Sequence, residues 1–535
     1  MNDSSTHLRT SPATGRGTTR RAALRALAVA TVLAGTSLSV PLPSAVAADP
    51  AETYTLTIRH LDRQGAATGD YLTHVTGVSG PGAAEAVTPH DASGTVTVRL
   101  PKGRYLLDST LEKGTEVDWI VQPRLDLTGD TTVTVDARTT APVDVRPPER
   151  SARYRSGIGY VEVTHEGTTR SANIVMASDN LRVAHLGPAA EPGSVKEWFD
   201  SYWAGASQDY ALGYTFTSTH AQTGVVRHPT AASLATLKIR GAATGGATGT
   251  AFVSVQPAEG TTIGYGRALQ LSDTATVLVT PERGAWDVDY TGPATPETRP
   301  NQYMAQDIPV RAGATVTKTF DNAVFGPAID GAPGARPAGV RDGDSLALDV
   351  PLLADGDGHT PSAPRFLTAT TTLQRDGVLI GTRHGAPGRA TFTTTPGRAS
   401  YRLTASATRG DGTASRGRVT AAWTFSSAGT TTPTALPLSA VRFTPALGLD
   451  GTAPAGTPAT VPVTVQGAAA TTGVRSLTVA LSTDGGATWS RVPVVDGAVS
   501  YRNPAPGRSV SLRAELTDSR GNTLHQTLTE AYRTR

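Results

Sequence analysis

The sequence contains no cysteine. That excludes disulfide frameworks, thiolate nucleophiles, cysteine-ligated zinc and iron–sulfur clusters. Aromatic residues make up only 5% of the 535 residues, which excludes widespread aromatic binding surfaces. Charged residues are 17%, and only five of the 48 basic ones are lysine: Lys102, Lys113, Lys196, Lys238 and Lys318. A polylysine surface is therefore excluded. Apolar runs are short. The stretch from Ala26 to Val40 is about fifteen residues, too few for a permanent transmembrane helix, and no second run reaches membrane length.

What is present is glycine (56) and proline (37) in a chain longer than one hydrophobic core usually supports. Roughly three to five domains are expected at this length. The N-terminus has the marks of an export signal. Thr19–Arg25 reads TRRAALR, the apolar stretch follows, and Ala45-Val46-Ala47 supplies a small-x-small cleavage site. The Arg20–Arg21 pair fits a twin-arginine signal; an ordinary secretory signal is the alternative. Cleavage would start the mature chain near Ala48 and place it outside the cell. It would leave 43 basic and 44 acidic residues, a net charge of −1. So neutral a chain has no global field to attract nucleic acid or anionic lipid. No nucleic acid partner and no membrane anchor are expected.

Past residue 50, period-two runs recur to the end: YTLTI, TVTVRL, TTVTVDA, YVEVTH, TAFVSVQP, LALDVPLL, YRLTASATR, SLTVALS and SVSLRAEL. Such alternation marks half-buried strands, and the turns between them carry Gly, Asn, Asp and Pro. The expected fold is all-β: several β-sandwiches in series, immunoglobulin-like or prealbumin-like. One segment departs from this. Val195, Trp198, Phe199, Tyr202 and Trp203 fall at i, i+3, i+4, i+7 and i+8, Ser194 and Glu197 form a capping-box pair, and Gly205 can end a helix. The spacing predicts a short amphipathic helix over 194–204. Its face with Trp198, Tyr202 and Trp203 is either packed on a sheet or an aromatic platform for sugars or a partner.

Pro- and Gly-rich segments at 141–150, 326–339 and 427–437 read as joints, with a weaker one near 228–236. They divide the chain into a signal (1–47), a β-sandwich (48–145), a β-rich domain with the helix (146–233), two further sandwiches (234–330 and 331–430) and an immunoglobulin-like domain (436–535). No fixed-period repeat argues for a solenoid or propeller.

Catalytic motifs are missing. The mature chain has no G-x-S-x-G elbow, no H-E-x-x-H, no P-loop and no dinucleotide fingerprint. No catalytic or cofactor-binding residue is assigned. Two weaker signals remain. Asp355 and Asp357, in LLADGDGHT, could place carboxylates around calcium, with Asp342 and Asp344 nearby; a solvated turn is the alternative, and no Glu completes an EF-hand loop. Ser482, Asp484, Gly486, Thr488 and Trp489, in STDGGATW, fit S-x-D-x-G-x-T-W and resemble the Asp-box hairpin of sialidases and other secreted β proteins. That motif is structural: Asp accepts turn N–H groups, Gly supplies positive φ and Trp buries on the next strand.

The strings TVTVRLPKGRYLLDSTL, VQPRLDLTGDTTVTVDAR, TKTFDNAVFGPAI, LALDVPLLADGDGH, LPLSAVRFTP and SVSLRAELTDSRGNTLHQTLTEAYRTR, in that order, resemble the accessory region of large secreted actinobacterial subtilisin-like serine peptidases. The resemblance spans most of residues 50–535. In that family the peptidase domain precedes this region, whereas here the signal runs directly into it. No position matches the family's catalytic Asp, His or Ser. The resemblance therefore implies a secreted, non-catalytic protein that binds an extracellular protein or a cell-wall polysaccharide. A secreted peptidase-related hydrolase with an unfamiliar site is the alternative.

Overall fold

The computed structural model describes residues 52–535, apart from 245, 261–264, 295–299, 330–335 and 411–414. The expected signal at 1–47 lies outside the described residues. The fold is all-β: strands make up most of the described chain, and the one α-helix among the described residues is five residues long, Ala468–Thr472. No helix among the described residues is long and apolar enough to cross a membrane.

The N-terminal part is a stack of sheets. Thr53–Leu61 pairs antiparallel with Thr95–Pro101 and parallel with Thr131–Asp136. Leu56 and Ile58 point from it onto a seven-stranded sheet carrying Val75, Tyr105, Leu107 and Ile120. The other face of that sheet, with Leu106, Trp119 and Val121, packs on a second seven-stranded sheet through Val161, Phe199, Trp203 and Leu212. This second sheet runs Thr168–Met176, Arg153–His165, Val195–Ala204, Asp209–Ser218, Thr274–Val279, Ala235–Gly241, Thr315–Phe320. Its far face carries Tyr202, Ala211, Leu237 and Val277 and covers a four-stranded sheet through Val253, Trp286, Val288 and Tyr290. The second sheet is thus a wall between two cores.

That position overturns the predicted helix. Residues 195–204 are a strand, paired with Arg153–His165 on one side and Asp209–Ser218 on the other. Buried on both faces, the strand is apolar at both parities, and its apolar residues then also satisfy a helical spacing. Aromatic side chains favour the pleated state, so propensity and packing agree. The presumed cap serves otherwise: the Ser194 hydroxyl donates to the Glu191 carbonyl at 2.8 Å.

Hydrogen bonds also cross the expected joints. Ala141–Val145 pairs with Leu181–His185 and with Val225–Arg227. Strands from 146–233 and 234–330 share the wall sheet. In the C-terminal part Ser415–Ser427 pairs with Thr523–Thr534, which builds a nine-stranded sheet from both expected C-terminal domains. Both parts contribute to one core around Leu346, Leu403, Trp423, Val461, Leu512 and Leu528. The proline-rich stretch at 427–437 is itself largely a strand, Thr430–Ala435, paired with Gly339–Gly343.

Candidate functional site

The search for a site begins where hydroxyl, imidazole and carboxylate groups meet. Thr53–Leu61, Tyr71–Ser79 and Gly103–Lys113 bring His60, Thr73 and Ser109 together. His60 Nε2 lies 2.7 Å from Thr73 Oγ1, which lies 2.7 Å from Ser109 Oγ; His60 Nδ1 faces the Gly94 carbonyl at 3.2 Å. With Nδ1–H donating to that carbonyl, Nε2 accepts the Thr73 hydroxyl, the arrangement of a base beside a nucleophile. The ring stacks on Tyr71 with centroids 3.5 Å apart. Burial pulls the His60 pKa down to about 4, so the imidazole is neutral at pH 7. All three side chains are completely buried, and the group orienting the ring is a carbonyl rather than a carboxylate. Burial keeps substrate from the hydroxyl in this state. Nothing in the sequence signalled this group, because its members are 13 and 36 residues apart in separate strands.

A second imidazole has the missing carboxylate. His74 Nδ1 lies 3.1 and 3.0 Å from the two oxygens of buried Asp108, and that hydrogen bond raises the His74 pKa. Among the described residues no hydroxyl bonds its Nε2. The dyad has base and orienter without a nucleophile.

Asp355 and Asp357 are spent on N–H donors. Asp355 is fully buried; Oδ1 accepts the His359 backbone N–H at 2.8 Å, and Oδ2 accepts that of Asp321 at 3.1 Å and lies 3.1 Å from His359 Nδ1. Asp357 accepts the Thr319 N–H at 3.0 Å and the Asn322 amide at 3.2 Å. Buried Arg442 donates to the Gly326 carbonyl at 3.0 Å and to the Asp355 carbonyl. These bonds tie the end of Thr315–Phe320, the 351–359 loop and Ser439–Phe443 together. Asp344 sits instead at the turn after Gly339–Gly343, 3.6 Å from Arg341 Nη2, and Asp342 is exposed there. Among the described residues no group of three or more His, Asp or Glu side chains is placed to hold a metal. The two carboxylates raised as calcium candidates accept N–H groups at strand and loop ends.

Trp198, Tyr202 and Trp203 form no exposed platform, because all three are buried. Alternation sends Trp203 into one core and Tyr202 into the other. Trp198 stacks on Tyr160 at 4.5 Å, and the Arg283 guanidinium lies 5.3 Å from the Trp198 ring centroid. Arg283 Nε sits 3.2 Å from Asp200, while its other nitrogens donate to Thr215 Oγ1 at 2.9 Å and to the Glu259 carbonyl. Burial pushes the Asp200 carboxyl up to about 7, with Arg283 pulling the other way. Glu197, on the opposite face, accepts the Gln222 N–H at 2.7 Å and is pushed up by burial to about 8.

The 482–489 segment joins Val474–Ser482 to Ser490–Val492 as an antiparallel hairpin. The Ser482 hydroxyl donates to Asp484 at 2.7 Å and accepts the Gly486 N–H at 2.9 Å. Asp484 accepts the Thr488 N–H at 2.9 Å and the Thr488 hydroxyl at 2.5 Å. That hydroxyl, then the N–H, holds Asp484 well below the usual carboxylate range. Gly486 takes φ 96°, which a side chain would oppose. Trp489 donates to the Gly486 carbonyl at 2.9 Å and is only half-buried, with Arg513 4.0 Å above its ring. The expectation of a buried ring is corrected: the guanidinium covers the face that a core would have covered.

No family model matches the chain, and no curated protein matches it. Solved structures that align with half of it include two from Bacillus species. The Bacillus anthracis TIE protein aligns at 10% identity and TM-score 0.12, covering 50% of this chain and 50% of that one. BcpA, the major pilin subunit of Bacillus cereus, aligns at 10% identity and TM-score 0.13, covering 50% of this chain and 99% of that one. This chain spans half the length of the first. TM-scores of this size transfer neither topology nor activity.

Proposed function

We propose that the chain is a secreted, non-catalytic β-sandwich protein that binds an extracellular protein or a cell-wall polysaccharide. The observation that supports it most is that the hydroxyl–imidazole contact at His60 and Thr73 has no exposed surface. Other buried charges, at Asp355, Arg442, Asp200 and Arg283, join strands and loops to one another. The resemblance to peptidase accessory regions agrees with a partner-binding role, and the Arg20–Arg21 signal with export. The test is direct. Purified mature protein should leave casein and chromogenic esters uncut while retaining a ligand from the producing organism's secretome or cell wall. In a second reading, a hydrolase, the His74–Asp108 dyad would supply the base. Ester cleavage abolished by His74→Ala would establish it and refute the first.

A further inference from the structure

The nine-stranded sheet ends at Val378–His384, which is hydrogen-bonded only to Phe366–Arg375 within that sheet. Three consecutive residues of this edge are exposed: Val378 (68%), Leu379 (56%) and Ile380 (39%). A register shift between Leu373↔Gly381 and Gln374↔Leu379 leaves Ile380 as the extra residue, which explains why neighbours that should alternate all face outward. The other large apolar residues exposed among the described ones stand singly in sequence. Natural edge strands are blunted by charged side chains, Pro or bulges; this one has a bulge and Arg383 but no Lys or Pro, and its first three residues carry no charge. Where the strand ends, a cleft of about 250 Å³ opens, lined by Leu352, Pro361, Phe366, Ala386 and Pro387.

Charge selects the occupant. Residues 331–535 hold 20 basic and 13 acidic residues, a net +7, whereas residues 48–330 hold 23 basic and 31 acidic residues, a net −8. The near-zero total hides a strongly dipolar chain. Two copies side by side would set like charges together, and two copies head to tail would set unlike ones together. We propose that the Val378–His384 edge docks on the acidic N-terminal part, residues 48–330, of a second copy of this chain. The edge contributes free backbone donors and acceptors to an extended partner segment, and the apolar trio with the cleft supplies buried contact. A head-to-tail contact of this kind uses different surfaces on the two copies, so it propagates into rings or filaments rather than stopping at a symmetric dimer. The inference is independent of whether the chain also binds another ligand.

The absence of cysteine makes the test clean. Leu379→Cys would carry the sole thiol, to which a maleimide–benzophenone photocross-linker attaches. The expected products are cross-links from position 379 to residues 48–330 of another copy. Sedimentation equilibrium should show association at low salt that weakens as salt is raised, because screening shortens the reach of the field to about 10 Å at 0.1 M. Leu379→Asp should weaken association about tenfold or more. Val495→Asp, the same charge change at a singly exposed residue elsewhere, should leave it unchanged. A monomer at all concentrations in low salt would overturn the proposal. So would cross-links confined to 331–535, or association that Leu379→Asp leaves intact.

Discussion

Glu197 offers the sharpest physical test of the wall sheet. Its carboxyl is buried, and burial pushes its pKa up to about 8 from an ordinary 4.5. The unfolded chain gives up this proton near pH 4.5, and the folded chain holds it to about pH 8. Between those limits unfolding releases a proton, so this group lowers stability as pH rises. At about 1.4 kcal/mol per pH unit, the window amounts to roughly 3–5 kcal/mol by its upper end. Gln at this position has the same shape, stays neutral and keeps an amide oxygen for the Gln222 N–H. Glu197→Gln should therefore match the parent at pH 5 and exceed it by roughly 3–5 kcal/mol at pH 8. Urea titrations of both proteins at both pH values, followed by tryptophan fluorescence, give the double difference. That difference cancels His60 and Asp200, which titrate in both proteins. Equal effects of the substitution at pH 5 and pH 8 would refute the burial of an ionisable carboxyl here.

Asp200→Ala strands the buried Arg283 guanidinium and should cost about 3–5 kcal/mol in a urea titration, whereas Asp200→Leu combined with Arg283→Met should recover most of it. Asp484→Ala and Trp489→Ala should each lower the melting temperature of the C-terminal part by calorimetry, because the first leaves turn N–H groups unpaired and the second removes the ring under Arg513. Unchanged melting in both would contradict a packed hairpin. Replacing Arg20 and Arg21 with Lys should block export, as read by immunoblotting of culture medium. Continued export would point to the general secretory route.

Much of the fold was legible in local pattern. Runs such as TTVTVDA and SVSLRAEL alternate because one face of each strand is buried, and both form strands where they were expected. The 482–489 turn was legible because its donors and acceptors lie within a few residues of one another. Legibility failed where burial is two-sided, as at Val195–Ala204, since apolar residues at both parities satisfy either period. It failed again at the joints. Proline-rich composition at 427–437 says nothing about Val340 and Ala435, 95 residues apart, pairing across it. The His60–Thr73–Ser109 chain and the Arg442–Asp355 lock were invisible for the same reason: tertiary pairing brings the groups together without any sequence spacing to announce it.

The hydroxyl–imidazole contact of His60 and Thr73 is locked inside the fold. A fluorophosphonate probe, which phosphonylates hydroxyls activated by a neighbouring base and releases fluoride, reports on this burial when the intact mass of the native full-length protein is read afterwards. No adduct on Thr73 or Ser109 is expected in the folded chain. One probe per chain, lost on Thr73→Val or Ser109→Ala, would contradict it.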